Sequence, residues 1–312
     1  MTAKRTKTGV GKAHRFGGDW TTAKLDVLAH YLASYTKALR DKPTKEHPFR
    51  KGYIDAFAGT GYRDAQRDDE ANESSQPSLL LPDLADKEPQ ELLDGSARLA
   101  LKTEPRFDRY VFIEKSAERC AQLDALKSEF PHLANDIQIR QGDANTEIQD
   151  LCNKDWRSSR AVLFLDPYGM QVEWKTIEAI AKTGAIDLWL LFPLGIGVNR
   201  LLTKSGEIPT SWRRRLNVLL GNETWYDEFY RVERRRTLFG EADHVIKATT
   251  ETIGRYFNQR LKSVFAAVAD EPRVLRNSAN CPLYLLCFAV GNQNGAPIAL
   301  RIANHLLTKG VQ

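Results

Sequence analysis

Apolar residues recur along this chain with two distinct patterns. Between Thr21 and Leu39, the residues Leu25, Leu28, Leu32, Tyr35 and Leu39 fall alternately three and four apart, the spacing of one face of an amphipathic helix. Further on come short, almost unbroken apolar runs: Lys51–Phe57, Arg109–Glu114 (RYVFIE), Ile137–Arg140, Ala161–Asp166 (AVLFLD) and Ile186–Phe192 (IDLWLLF). Between them Ser96–Lys102, Ala117–Phe130, Thr146–Cys152 and Glu173–Lys182 read as helices. A strand that is apolar at nearly every position has no solvent face. The alternation of such strands with helices therefore predicts an α/β fold whose parallel sheet is covered on both sides. Residues 209–262 read as mostly helical, Ser263–Ala269 and Leu283–Val290 as two last strands, and Ile298–Leu307 as a closing helix.

Composition sharpens this picture only where the charge is divided. The 312 residues carry a net charge of +5, too mild to prove a nucleic-acid partner, and 42% of them are apolar, enough for a sizeable core. Residues 1–19 are basic, with Gly and Thr between the charges, and are expected to form a flexible arm rather than a secretory signal, since no apolar stretch follows. Residues 64–94 hold ten acidic residues and three prolines, the composition of a long polar insertion that is either disordered or a lid. Residues 196–262 form a second expected insertion, basic and helical, with Arg213, Arg214 and Arg215 as one cluster and Arg234, Arg235 and Arg236 as another. The remainder, 20–312, reads as one domain. No run of 18 apolar residues predicts a membrane helix. Four cysteines without a CxxC pair fit a reduced, cytosolic protein, and six scattered histidines give no metal-ligand spacing.

Four segments end successive predicted strands, where open α/β sheets bind their ligands. The first runs Asp55-Ala56-Phe57-Ala58-Gly59-Thr60-Gly61: a carboxylate, then two glycines that let backbone approach a ligand closely. It lacks the third glycine of a dinucleotide loop and the Lys-Ser/Thr of a P-loop. The second is Glu114, able to accept both hydroxyls of a ribose or simply a solvated acid at a strand end. In the third, Gly142-Asp143-Ala144, Asp143 suits an exocyclic adenine amine and equally the N-cap of the following helix. The fourth, Asp166-Pro167-Tyr168-Gly169, sets an acceptor carboxylate beside a carbonyl and an aromatic ring.

Taken in order, DAFAGTG, FIE, GDA and DPYG resemble the motifs of S-adenosylmethionine-dependent methyltransferases, above all the amino-methylating group. More closely, WTTAKLDVLAHYLASY, GYIDAFAGTGY, YVFIEK, GDAN, AVLFLDPYGMQVEW and IDLWLLFPLGIGVNRLL resemble the three-Cys-motif partner protein family over about Trp20 to Leu202. The resemblance implies a Rossmann-like methyltransferase fold with a mostly parallel seven-stranded sheet and S-adenosylmethionine as cofactor. It implies that Asp55, Phe57, Ala58, Gly59, Gly61, Glu114, Asp143 and Ala144 bind that cofactor, and that Asp166, Pro167 and Tyr168 are catalytic. It also implies a three-Cys-motif protein as partner, whose cysteines belong to the partner.

Two departures stand out. The acidic insertion separates the glycine loop from its helix, so Gly95-Ser96 must complete the cradle or leave it looser. The aromatic of DPYG lies one position earlier than in DPPY. Arg200 and the Arg213–Arg215 cluster are candidate substrate contacts, with DNA or RNA phosphates in view, or else solvated charges. Trp20 and Lys24 either line the methionine end of the cofactor, or pack and meet solvent. Two readings follow: methyl transfer to an amine of a nucleic acid base, or a non-catalytic methyltransferase-like subunit that docks the three-Cys-motif protein.

Overall fold

The computed structural model describes residues 19–44, 48–58, 95–237 and 240–309. The expected basic arm, the acidic insertion 64–94, Gly59 and Gly61 lie outside them. The chain begins with helix α1 (Asp19–Ala38) and strand β1 (Arg50–Ala56), followed by α2 (Gly95–Leu101) and β2 (Arg109–Glu114). Next come α3 (Ala117–Glu129), β3 (Ile137–Gln141), α4 (Ala144–Cys152), β4 (Ser159–Leu165), α5 (Trp174–Lys182) and β5 (Ile186–Phe192). A π-helical turn, Leu194–Val198, leads to α6 (Thr210–Leu220), α7 (Trp225–Phe229), β6 (Tyr230–Thr237), β7 (Gly240–Lys247) and α8 (Thr250–Lys262). The chain closes with β8 (Ala267–Val268), β9 (Arg273–Arg276), β10 (Pro282–Val290) and α9 (Ala296–Thr308).

One sheet runs β3-β2-β1-β4-β5-β10-β8, with β9 paired to β10. The first five strands in that order are mutually parallel, and β10 is antiparallel to β5, β8 and β9. The fold is α/β and Rossmann-like, as expected, with eight strands where seven were expected. The additional strand β9 is a four-residue edge piece with charged ends, too short and too polar to stand out in the sequence.

Two cores explain the unbroken apolar runs. From β4, Ala161, Leu163 and Leu165 enter the core shared with α4, α5, α6 and α8, while Val162 and Phe164 enter the core shared with α1, α2, α3 and α9. On β5, Ile186, Leu188, Leu190 and Phe192 alternate in the same way with Trp189 and Leu191. Side chains alternate across a strand, so a sheet packed on both faces demands apolar residues at both parities. Each fully buried Leu, Ile or Phe contributes roughly 1.5–3 kcal/mol.

The stretch 209–262 corrects the sequence reading. Between α7 and α8 the chain makes a separate two-stranded antiparallel ribbon, β6 with β7, rather than helix. Its register places Glu233 opposite His244 and Arg234 opposite Asp243, and the Arg234 guanidinium lies 3.6 Å from the Asp243 carboxylate. Cross-strand pairing of opposite charges and the β-branched Val232, Val245 and Ile246 favour the strand, whereas a dense run of charge in sequence suggests a solvated helix. The ribbon is rooted by Tyr230, whose hydroxyl donates to the Thr203 carbonyl at 2.8 Å, and by Lys247, which donates to the Asn199 carbonyl at 2.7 Å. The strand expected at Ser263–Ala269 shrinks to two residues because the end of α8 continues as a turn. The amides of Val264 and Phe265 still bond back to the Leu261 carbonyl.

At the exit of β5, Gly195 lies so close to β10 that a Cβ there would stand 1.8 Å from the Pro282 carbonyl oxygen. Only a residue without a side chain fits that contact. On β5 itself, the buried Asp187 accepts from the Tyr31 hydroxyl of α1 at 3.0 Å and from the Gly291 amide at 3.3 Å. Burial pushes its carboxyl up to about 7, against those two bonds and Arg160, which favour the charged form. The folded state thus holds a proton that the unfolded chain releases near pH 4. This contribution to stability is full below that pH and is lost as the pH rises towards 7, by roughly 4 kcal/mol. Asp187→Asn, which cannot ionise, is expected to lose less stability than the parent between pH 4 and 7, measured as the urea midpoint at each pH.

Candidate active site

Strand order reverses between β1 and β4: from β1 the chain builds outward to β2 and β3, and from β4 outward to β5. In open α/β sheets such a switch point marks a crevice at the carboxyl ends of the strands, where ligands bind. Asp55 near the end of β1 and Asp166 just past β4 lie on its two sides. Both share the parity of Tyr53, Val162 and Phe164, so both face α1 and α2.

Lys24 is the residue that sequence reasoning undervalued. Its sequence leaves solvent as one of its two surroundings, yet it is only 4% exposed, and its ammonium reaches the Asp166 carboxylate at 2.5 Å. The signal was present: Thr21, Lys24, Leu28, Tyr31 and Tyr35 fall on one stripe of α1, so position 24 is in phase with the core. A buried ammonium requires a counter-charge, and the ring of Trp20, 4.9 Å from the Lys24 nitrogen, adds a cation–π contact. Trp20 itself packs on Tyr284, with ring centroids 5.1 Å apart.

Asp55 is 1% exposed. It accepts a hydrogen bond from the Tyr53 hydroxyl at 3.1 Å and another from Ser96 at the start of α2, which places the Gly95-Ser96 step beside the end of β1. Burial pushes its carboxyl up to about 7; Ser96 and Tyr53 work against this, Asp166 adds to it, and Lys24 opposes it. The next residues turn sharply. Phe57 has φ +73, a left-handed conformation that costs a bulky residue roughly 1–2 kcal/mol. Ala58 is buried, and its amide is already spent on the Ile113 carbonyl at 3.0 Å.

Glu114 ends β2 almost fully buried. One carboxylate oxygen accepts from the Ser116 amide at 2.8 Å and lies 3.8 Å from the Arg119 guanidinium. The other oxygen, Oε2, is buried without a hydrogen-bond partner among the described residues. This is not the solvated strand-end acid that sequence left as an alternative. Asp143 instead takes its structural alternative: it is exposed and caps α4, accepting from the Thr146 amide at 3.1 Å. Ala144 is the buried first residue of that helix.

After Asp166 the chain passes buried Pro167 and half-buried Tyr168, then turns at Gly169 with φ +67, where glycine bears no strain. This loop is pinned from α4. The Asn145 amide donates to the Gln171 carbonyl at 2.9 Å, and its oxygen accepts from the Glu173 amide at 3.0 Å and the Thr176 hydroxyl at 2.9 Å. In the sequence Asn145 is only the last letter of GDAN, and nothing there marks its positioning role, because the groups it holds lie at 171, 173 and 176. Arg200 follows the π-helical turn, exposed, and Arg213, Arg214 and Arg215 are exposed on α6, Arg213 lying over the Tyr226 ring at 4.8 Å. Among the described residues no three or more His, Cys, Asp or Glu side chains gather as a metal site. No described helix is long and apolar enough to cross a membrane.

Removing the Asn145 amide takes their partner from the Gln171 carbonyl and the Glu173 amide inside the fold, and leaves the Thr176 hydroxyl only its bond from Gln149. Asn145→Ala is expected to destabilise the protein by about 2–3 kcal/mol in urea unfolding. Faster amide exchange in the loop 166–173 should accompany that loss.

No protein-family model matches the chain, and no curated protein matches it. Among solved structures, it is similar to a Legionella pneumophila protein described with the family model DUF519, at 13% identity over 91% of both chains and a TM-score of 0.40. It is also similar to spermidine synthase from Thermotoga maritima, at 8% identity over 88% of this chain and 61% of that one, with a TM-score of 0.37. The chain thus spans less than two thirds of the synthase. A Corynebacterium glutamicum protein is similar at 14% identity, covering 75% of this chain and 83% of that one, with a TM-score of 0.28. The fold assignment stands on the strand order and register themselves.

Proposed function

We propose that this chain is an S-adenosylmethionine-dependent methyltransferase acting on an amine of a nucleic acid base, together with a three-Cys-motif protein. The observation that carries the cofactor reading is Glu114 Oε2, a buried acceptor at the switch-point crevice with no partner among the described residues. An unpaired buried acceptor is costly, and the adjacent hydroxyls of a ribose supply the donors it lacks. The residues present therefore fit a nucleoside.

Under this reading Glu114 holds the ribose, Asp143 and Ala144 meet the adenine, and Asp55, Phe57 and Ala58 begin the cradle that Gly59 and Gly61 continue. The cofactor, when bound, supplies a methyl group on a positively charged sulfur. Asp166 accepts the N–H of the target amine and raises the density on its nitrogen, with the Pro167 carbonyl as a second acceptor and Tyr168 as a wall. Lys24 fixes the direction of the Asp166 carboxylate. Positioning in line provides most of the acceleration, so no strong general base is needed. Arg200 and Arg213–Arg215 meet phosphates, and those contacts offset the few kcal/mol needed to turn a base out of its stack. The nucleic-acid substrate and the three-Cys-motif partner rest on the resemblance of residues 20–202.

One observation favours the alternative of a non-catalytic docking subunit: Lys24 already engages the carboxylate that would receive the substrate amine. Methyl transfer separates the two. Tritiated methyl is expected to pass from S-adenosylmethionine to DNA or RNA in the presence of the partner, and binding without any transfer would favour the docking subunit. In isothermal titration, S-adenosylmethionine should bind, and Glu114→Gln should weaken it at least about tenfold, the equivalent of one charge-assisted hydrogen bond. No binding at millimolar cofactor, or binding indifferent to Glu114, would remove the reading.

A further inference from the structure

The crevice holds an uneven set of charges. Two carboxyls, Asp55 and Asp166, face one ammonium, Lys24, across the ends of two neighbouring strands. Asp166 has taken the ammonium at 2.5 Å and is itself about a quarter exposed, so it stands as an ion pair. Asp55 is almost wholly buried, and its hydrogen-bond donors, the hydroxyls of Tyr53 and Ser96, are neutral. From β2, Glu114 turns to the Ser116 amide and Arg119. A buried carboxylate without a close counter-ion lowers its free energy in one of two ways: by keeping its proton, or by meeting a positive charge.

We propose that Asp55 exchanges its proton for the positive charge of the ligand, so that this site binds a cationic sulfonium nucleoside more tightly as the solution becomes less acidic. The inference rests on the cofactor reading above and adds to it the group that recognises charge. In the free protein, Asp55 carries its proton and accepts from its two neighbours through the remaining lone pairs. When the ligand arrives, the Asp55 O–H bond breaks, the proton passes to buffer, and the carboxylate faces the ligand's charge; no other bond changes. Lys24 has a second part in this exchange. By pairing with Asp166 and opposing its repulsion of Asp55, Lys24 keeps the ionised form of Asp55 within reach. The position of the Asp55 carboxyl, pushed up to about 7, sets the range in which the exchange is felt.

The test is isothermal titration of the full chain with S-adenosylmethionine at pH 6, 7 and 8, in buffers of different ionisation heat. Affinity is expected to rise about tenfold from pH 6 to pH 8, with about half a proton released per ligand at pH 7. Asp55→Asn keeps the shape and the acceptor oxygen but cannot ionise; its affinity should be flat across this range, near the value of the parent at low pH. Tyr53→Phe removes a donor that supports the ionised form, so the midpoint of the affinity curve should move to higher pH. Binding that is independent of pH in the parent, or pH dependence that survives Asp55→Asn, overturns the exchange and leaves the cofactor reading standing. Absence of binding at every pH overturns both.

Discussion

A sheet with no solvent face confines chemistry to its edges. Strands β1, β2, β4 and β5 each send one parity of side chains into each of two cores, so a buried polar group within them must find its partner inside the fold. Asp187 does so with Tyr31 of α1, and Asp55 with Ser96 of α2 and with Tyr53 on its own strand. Helix α1 serves both places: the same stripe that packs Leu28 and Leu32 against the sheet carries Lys24 to Asp166 and Tyr31 to Asp187. The packing of α1 and the electrostatics of the crevice are one problem with one solution. A shift of the helix by one turn would lose both ties together.

Much of this architecture was legible because burial on both faces leaves a plain trace. IDLWLLF and RYVFIE, read as strands, have those limits in the structure, and the strand-end positions of Asp55, Glu114 and Asp166 followed from the strands. What stayed hidden depended on partners distant in sequence. Lys24 looked solvated because its counter-charge lies 142 residues away, and Asn145 looked incidental because the backbone groups it holds lie beyond the next strand. The ribbon at 230–247 is hidden in the sequence for another reason. Its strands are stabilised by charges facing each other across the pair, and no pattern within either strand reveals what stands opposite.

Glu114 and Asp143 show why strand-end acids cannot be judged alike from sequence. Both stand at strand ends, yet one is sealed with an oxygen unpaired among the described residues and the other caps a helix in solvent. The difference lies in the local turn. After β3 the helix α4 starts at once, so its first amides draw in the side chain of Asp143. After β2 the amide of Ser116 captures only one oxygen of Glu114, and Phe57 in its left-handed turn belongs to the neighbouring strand end. An expensive backbone conformation, a buried unpaired acceptor and a carboxyl held near neutrality thus gather at adjoining strand ends. Local rules of backbone conformation and polar pairing are broken together at these strand ends.

The close seat of Gly195 on the Pro282 carbonyl has a mechanical meaning. Backbone resting on backbone leaves no room for a side chain, so any residue other than glycine at 195 would have to push the π-helical turn away from β10. The exit of β5 is thereby tied to the antiparallel strand that closes the sheet, and a single added methyl group would prise the two apart.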